Sequence, residues 1–299
     1  MISNFRLAVD KTSGARLVVM GAILISFSGV FVKLADVTPT VAGFYRTFNG
    51  GIILALLLVL KRESPWKGGS FFILGVFSGL LFSFDLFFWH MSVHSVGPGL
   101  ATILTNFQVF LMALFGVAFL GERVTKNLIV AIPLAVAGLY LLAGVRWKEL
   151  GPDYRAGVFF GLAAAVCYAF YMLVLRKLQS LDNGPSVMAN LTIISFITAI
   201  LLGVSAWYHG ESFRMPDMQT AFSLTAYGIF SQVLGWMLIT KGLPKIRSSL
   251  AGLLLLLQPS LAFLWDILFF QRPTAAIELI GAAIALSAIY MGTAGKRNK

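Results

Sequence analysis

One cysteine, three histidines and twelve acidic residues are all that this 299-residue chain offers for redox, metal or acid–base chemistry. Cys167 has no internal disulfide partner, so cysteine usage carries no information on redox compartment. His90 and His94 stand four apart, the spacing of a metal pair on a helix, but the remaining histidine is the distant His209, so no metal site is expected. No Gly-x4-Gly-Lys-[Ser/Thr] loop occurs; Gly292-Thr-Ala-Gly295-Lys296 has the wrong spacing, which rules out an ATP-driven pump on this chain alone. No cofactor motif is present, and no cluster of His, Asp or Cys at membrane depth supports an intramembrane enzyme. Repeated rings of charge or filter carbonyls, the marks of a channel, are missing as well.

Polar surface is equally scarce. With 58% hydrophobic and 12% charged residues and a mean hydropathy of +0.86, the chain cannot cover a water-soluble globule of its length, and its solvent must be lipid. Ten apolar runs of roughly 20 residues, each able to cross about 30 Å of hydrocarbon, mark the spans. They are 15–34, 40–60, 68–89, 96–119, 126–143, 154–175, 185–208, 217–241, 246–270 and 274–292. The connectors are short and rich in Gly, Pro, Asp, Arg and Lys, leaving no room for an inserted soluble domain. Arg6, Lys11 and Arg16 ahead of the first run imitate a signal peptide, but no Ala-x-Ala-like cleavage site follows it, so an uncleaved first helix is expected.

Basic residues in short loops stay on the cytoplasmic side. With the N-terminus inside, 16 of the 23 Lys and Arg fall in inner segments and six in outer ones, with Arg46 left inside a helix. Both termini are therefore predicted to be cytoplasmic. The net charge of +11 reads as membrane retention and not as nucleic-acid binding.

The chain also repeats itself. At one offset of 150, Leu100-Ala101 and Gln108 recur as Leu250-Ala251 and Gln258, and Leu104, Leu111, Leu114, Phe119, Ala135 and Tyr140 recur as Leu254, Leu261, Leu264, Phe269, Ala285 and Tyr290. The fold class expected is an all-α membrane protein of ten transmembrane helices, built as two five-helix repeats over residues 1–146 and 147–299. Five spans per repeat is an odd number, so equivalent helices cross the bilayer in opposite directions, the inverted arrangement of many secondary transporters. Gln108 and Gln258 each lie 12 residues into their spans, about 18 Å deep at about 1.5 Å per residue and close to the midplane. A neutral amide there either bonds the ends of a zwitterion or joins helices.

Several stretches resemble a known family. Pro39-x6-Arg46 opening the second helix, Leu120-Gly121-Glu122 closing the fourth, Gln258-Pro259 in the ninth and Gly281-Ala-Ala-Ile-Ala-Leu-Ser-Ala-Ile-Tyr290 in the tenth resemble the EamA domains of the drug/metabolite transporter superfamily. Asp85-Leu-Phe-Phe-Trp89-His90-Met-Ser-Val-His94 and Ala101-Thr-Ile-Leu-Thr-Asn106 further resemble its bacterial amino-acid exporter branch, which includes aromatic amino-acid exporters. Two departures stand out: Gln271-Arg272 replaces the family's Gly-Glu in the second half, and Val109 replaces its proline in the first. The resemblance implies a monomeric or weakly dimeric carrier in the bacterial inner membrane, with a central cavity between the halves and alternating access. It also implies export of neutral amino acids, aromatic and aliphatic, with broad specificity. The alternative is another small metabolite or drug, such as a nucleobase, a sugar or a cationic drug.

The lining can be nominated by position. Asp85, Trp89 and His90 lie in the outer part of the third helix, Asp85 and Trp89 sharing a face. Arg46, at similar depth, is the natural partner for Asp85, either as a structural ion pair or as a substrate contact, and a proton-linked role for Asp85 or His90 stays open. Tyr168 and Tyr171 in the sixth helix, and Gln232 with Trp236 in the eighth, combine a ring with a polar handle away from the interfaces, which suits cavity lining and helix packing alike. Asn106, Gln108 and Gln258 complete the candidate substrate-binding set. Gly75-x3-Gly79 and Gly157-x3-Gly161 mark close helix contacts, and Pro259 is placed to free a backbone carbonyl beside Gln258.

Overall fold

The computed structural model describes residues 2–64, 68–123, 125–143, 153–181, 184–271 and 273–294, with the backbone alone described for 2–12, 97–99, 142–143 and 293–294. The basic residues Lys67, Arg146, Lys148, Arg272, Lys296, Arg297 and Lys299, and the 146/147 repeat boundary, lie outside the described residues. All regular structure among the described residues is helical: α1 (Ile2–Ser26), α2 (Ser28–Leu34), α3 (Pro39–Leu60), α4 (Gly69–Asn106), α5 (Gln108–Leu120), α6 (Lys126–Ala143), α7 (Tyr154–Gln179), α8 (Val187–Tyr208), α9 (Met218–Tyr227), a π-helical stretch (Gly228–Gly235), α10 (Trp236–Gly242), α11 (Ser248–Leu255), α12 (Leu257–Phe270) and α13 (Ala276–Ala294). Eight helical stretches are long and apolar enough to cross a membrane, and two more, Lys126–Leu141 and Ala276–Gly292, are shorter apolar helices. The protein is thus the all-α, multi-pass membrane protein expected.

Helices and spans are not one to one. The expected connector after Trp89 is itself helical, because nothing between His90 and Val96 breaks a helix, and α4 runs through it to Asn106. His94, expected in a loop, is an exposed helical residue. Three spans are interrupted instead at single residues, Phe27, Phe107 and Leu256, each with helical φ but ψ near −10°. At the last two the turn tightens: Phe107 N donates to Leu104 O and Leu256 N to Leu253 O, both at 3.1 Å. These breaks stand directly before Gln108 and two residues before Gln258. Pro259 accompanies the second; the first forms with Val109 in place of proline, so the break does not depend on the ring.

The chain divides into two compact units, 1–84 with 171–245 and 85–170 with 246–299, the divisions falling within α4 and α7. In the first unit α3 packs along α8. Gly43 faces Leu202 and Gly51 faces Ser195 and Phe196, so numbers rise on one helix as they fall on the other. Gly75 and Gly79 of α4 meet Ile193 and Ile197 of α8, the close contact expected of that pair. The connector after α8 is tied down by polar bonds: Tyr45 OH donates to Phe213 O at 2.7 Å, Thr38 bonds the Glu211 carboxylate, and Gln219 Nε2 donates to Leu34 O at 3.1 Å. Asp217 caps α9, accepting from Thr220 N at 2.7 Å, which holds its carboxyl below the ordinary range.

In the second unit α6 and α13 touch backbone to backbone. A Cβ on Gly138 would lie 2.5 Å from Ala285 N and 2.8 Å from Gly281 O, while Gly292 meets Ala131 and Leu128 at the other end. Gly157 and Gly161 of α7 seat against Ser95, Val96 and Leu104 of α4, where Ser92 Oγ donates to Gly157 O at 2.7 Å. The end of α5 meets the start of α11: Glu122 accepts from Ser248 N at 2.7 Å, from Ser249 N at 3.3 Å and from Ser249 Oγ at 3.2 Å. A carboxylate on the first N–H groups of a helix satisfies both the donors and the dipole. Each of these pairings, second span with seventh, fifth with tenth and fourth with ninth, joins sequence-equivalent spans antiparallel within one unit. The inversion expected from an odd helix count is therefore visible in individual contacts.

Candidate substrate site

The first unit holds a buried cation. Thr38 caps α3 and Pro39 opens it, which fixes the register that turns Arg46 inward, 7% exposed. Its Nε donates to Gln232 Oε1 at 3.1 Å and its Nη1 to the Tyr227 hydroxyl at 3.3 Å. The guanidinium carbon sits over two rings, 5.1 Å from the Tyr227 centroid and 5.7 Å from that of Phe82. Among the described residues of this unit Arg46 touches no carboxylate, and Nη2 makes no hydrogen bond. Asp85, its expected partner, falls in the other unit.

Gln232 is aimed by an irregular backbone. It lies in the π-helical stretch, where one extra residue per turn re-aims side chains. Gly50 of α3 allows the approach, since a Cβ there would lie 2.6 Å from Gln232 Cβ. The amide is then used at both ends, because Gln232 Nε2 donates to Ser195 Oγ at 2.9 Å. Beside this relay three rings pack on one another: Phe82 on Tyr171 at 4.9 Å, Tyr171 on Trp236 at 5.2 Å and Phe82 on Trp236 at 5.4 Å between centroids. The arrangement joins an anion-seeking group to an aromatic wall. Of the nominated residues, Arg46, Tyr171, Gln232 and Trp236 come together here. Phe82, Ser195 and Tyr227 were not nominated, and Tyr227, five residues before Gln232, does not share an α-helical face with it by spacing.

The other nominees belong to the second unit. Asp85 is buried on α4, acting electrostatically on Cys167. Trp89 is half-buried against Val96, Leu100, Ala101 and Leu104, with its ring 5.2 Å from that of His90. Asn106 spends its amide on its own helix, Nδ2 donating to Thr102 O at 2.7 Å. Tyr168 is half-buried on α7. Gln108 is fully buried, and neither its Oε1 nor its Nε2 has a partner among the described residues; Gln258 Nε2 is in the same condition. The two amides stand at equivalent positions, each just past a helix break, Gln108 with both ends unpartnered among the described residues and Gln258 with its Nε2 unpartnered. Among the described residues no cluster of three or more His, Cys, Asp or Glu could hold a metal ion.

Ten apolar helices with inverted, interleaved repeats and buried polar groups at mid-span define a membrane carrier. The EamA-like transporter family model matches residues 12–144 and again 155–293. The chain belongs to that family, within the drug/metabolite transporter superfamily. It is 26% identical over 231 residues to a probable amino-acid metabolite efflux pump of Escherichia coli, covering 73% of this chain and 76% of the other. An uncharacterized transporter of Archaeoglobus fulgidus is 21% identical over 272 residues, 89% of this chain and 93% of its own length. Protein PecM of Dickeya dadantii is 24% identical over 262 residues, covering 85% and 82%. A solved crystal structure superposes with a TM-score of 0.78 at 19% identity, covering 94% of this chain and 96% of the other, which shows a shared fold.

Proposed function

We propose that the protein is a secondary transporter that exports neutral amino acids, aromatic and aliphatic, across the bacterial inner membrane by alternating access. It works as a monomer with both termini in the cytoplasm, its duplicated halves being residues 1–146 and 147–299, and performs no catalysis. The observation that carries the reading is Arg46: a permanently charged, buried guanidinium with a free edge and no carboxylate in its own unit. A desolvated cation is costly unless an anion completes it, and a planar fork matches a carboxylate in two parallel bonds. The amino acid's carboxylate fills that role in this reading, while Phe82, Tyr171 and Trp236 take the side chain. The amides of Gln108 and Gln258 address the zwitterion at another stage of the cycle, with Asp85, Trp89, His90, Asn106 and Tyr168 lining its route. Relatives named as probable amino-acid metabolite efflux pumps support the substrate class.

Counterflow in proteoliposomes tests it. Several labelled neutral amino acids should show saturable uptake with mutual competition, because one methylene changes binding by only about 1 to 3 kcal/mol in an apolar pocket. Saturable flux of a nucleobase or a sugar, unaffected by amino acids, overturns the substrate assignment.

A further inference from the structure

We infer that the Arg46 site also takes aromatic monocarboxylate anions that carry no amino group, and takes them at least as well as amino acids. The inference rests on the proposed reading of Arg46 as the carboxylate's partner. Everything that touches the guanidinium in its unit is neutral: the Gln232 amide, the Tyr227 phenol and the faces of Phe82 and Tyr227. A zwitterion brings no net charge, so within this unit it leaves the buried positive charge uncompensated and sets an ammonium near a guanidinium in a medium of low dielectric. A monoanion with the same ring cancels the charge outright.

Two of the rings are already engaged by a cation. Phe82 and Tyr227, whose faces could hold the ammonium by cation–π attraction, already hold Arg46. Ser195 Oγ and Gln232 Oε1 each accept one hydrogen bond already and keep a second lone pair, so they can accept from an ammonium but bring it no opposite charge. The carboxylate end is different, since the Nη2 donors make no hydrogen bond in this unit and Nη1, which gives one hydrogen to Tyr227, keeps a second beside them. The wall of Phe82, Tyr171 and Trp236 needs only an aromatic or bulky apolar group and no charge. Carboxylate and ring are therefore each provided for within this unit, and among its described residues no carboxylate at the Arg46 cluster meets the ammonium.

The test uses the full-length protein in proteoliposomes at pH 7.5, with three probes of one skeleton: phenylalanine, 3-phenylpropanoate and 2-phenylethylamine. Labelled 3-phenylpropanoate should show saturable counterflow above protein-free liposomes, half-inhibited by less of the unlabelled acid than of phenylalanine and unaffected by the amine. Arg46→Lys keeps the charge and loses the fork, and should weaken the acid about tenfold to a hundredfold, as expected for a lost charged hydrogen bond. Competition by the amine equal to that by the acid, or no saturable flux of the acid, overturns the inference in the unaltered protein, whatever the variant does. Phenylalanine flux without acid flux defeats this inference and leaves the amino-acid reading standing. Acid flux without phenylalanine flux does the reverse.

Discussion

Arg46 and Gln232 meet at 3.1 Å through Nε and Oε1, joining the second span to the π-helical turn of the eighth. The bond orients the guanidinium by its inner edge and leaves the outer edge to a ligand. Gln232 is thus a positioning residue, held in turn by Ser195. Gln232→Leu should raise KM for carboxylated substrates about tenfold or more, since hydrogen bonds to charged groups contribute about 1.5 to 3 kcal/mol. Ser195→Ala should raise it less. Equal KM values in the two variants and the parent, by proteoliposome uptake, would show that the relay is only structural.

Gln108 gives the opposite balance of stability and function. A buried amide with no partner costs about 1 to 3 kcal/mol, so Gln108→Leu should leave the melting temperature in detergent unchanged or higher. Flux should fall steeply in the same variant. Parallel loss of folded protein and flux would identify the amide as a helix tie.

Gly138 is the described glycine packed most tightly against another helix's backbone. With Ala285 N 2.5 Å from any added Cβ, backbone would have to move, so Gly138→Val should abolish folded protein on size-exclusion chromatography. Gly50→Ala meets Gln232 Cβ and Cγ at 2.6 Å, with the nearest backbone atom, Gly228 O, at an ordinary 3.4 Å, and should displace Gln232 and lose transport.

The two helix ends at Gly121 and Gln271 share a left-handed conformation, φ 62° and 49°. Glycine takes it freely and glutamine does not, at a cost of about 1 kcal/mol. Gln271→Gly should therefore raise the melting temperature. Glu122→Ala, which strips the cap from α11, should lower stability by about 0.5 to 2 kcal/mol.

Orientation is checked by single cysteines in a Cys167→Ala background. With the charge asymmetry as guide, His209→Cys should react with an impermeant thiol reagent on intact cells and Lys61→Cys should not. The reverse pattern would turn the molecule over.

Most of the architecture was legible because lipid leaves few choices: an apolar run of about 20 residues must be helical. The breaks at Phe27, Phe107 and Leu256 were not, since none coincides with a glycine or proline and each is a small change in ψ within an apolar run. The π-helical turn was hidden for the same reason. Half of the site was visible as polar or aromatic residues at mid-span. Phe82 was lost among 26 phenylalanines, and Tyr227 and Ser195 became recognisable only through the partners that distant helices bring to them. Within its own unit Arg46 meets an amide, a phenol and two rings.

The antiparallel pairing of α3 with α8 sets a schedule for biosynthesis. Roughly 140 residues separate Gly51 from its partners Ser195 and Phe196, and at about 5 to 20 residues per second the ribosome takes about 7 to 30 s to deliver them. During that time the glycine face of the second span stands in lipid without its neighbour, and the same holds for α6 until α13 arrives. Neither compact unit can close while only the first half has left the ribosome, so the nascent chain is most open to quality control before α8 is inserted, and the second unit stays open until α13 follows.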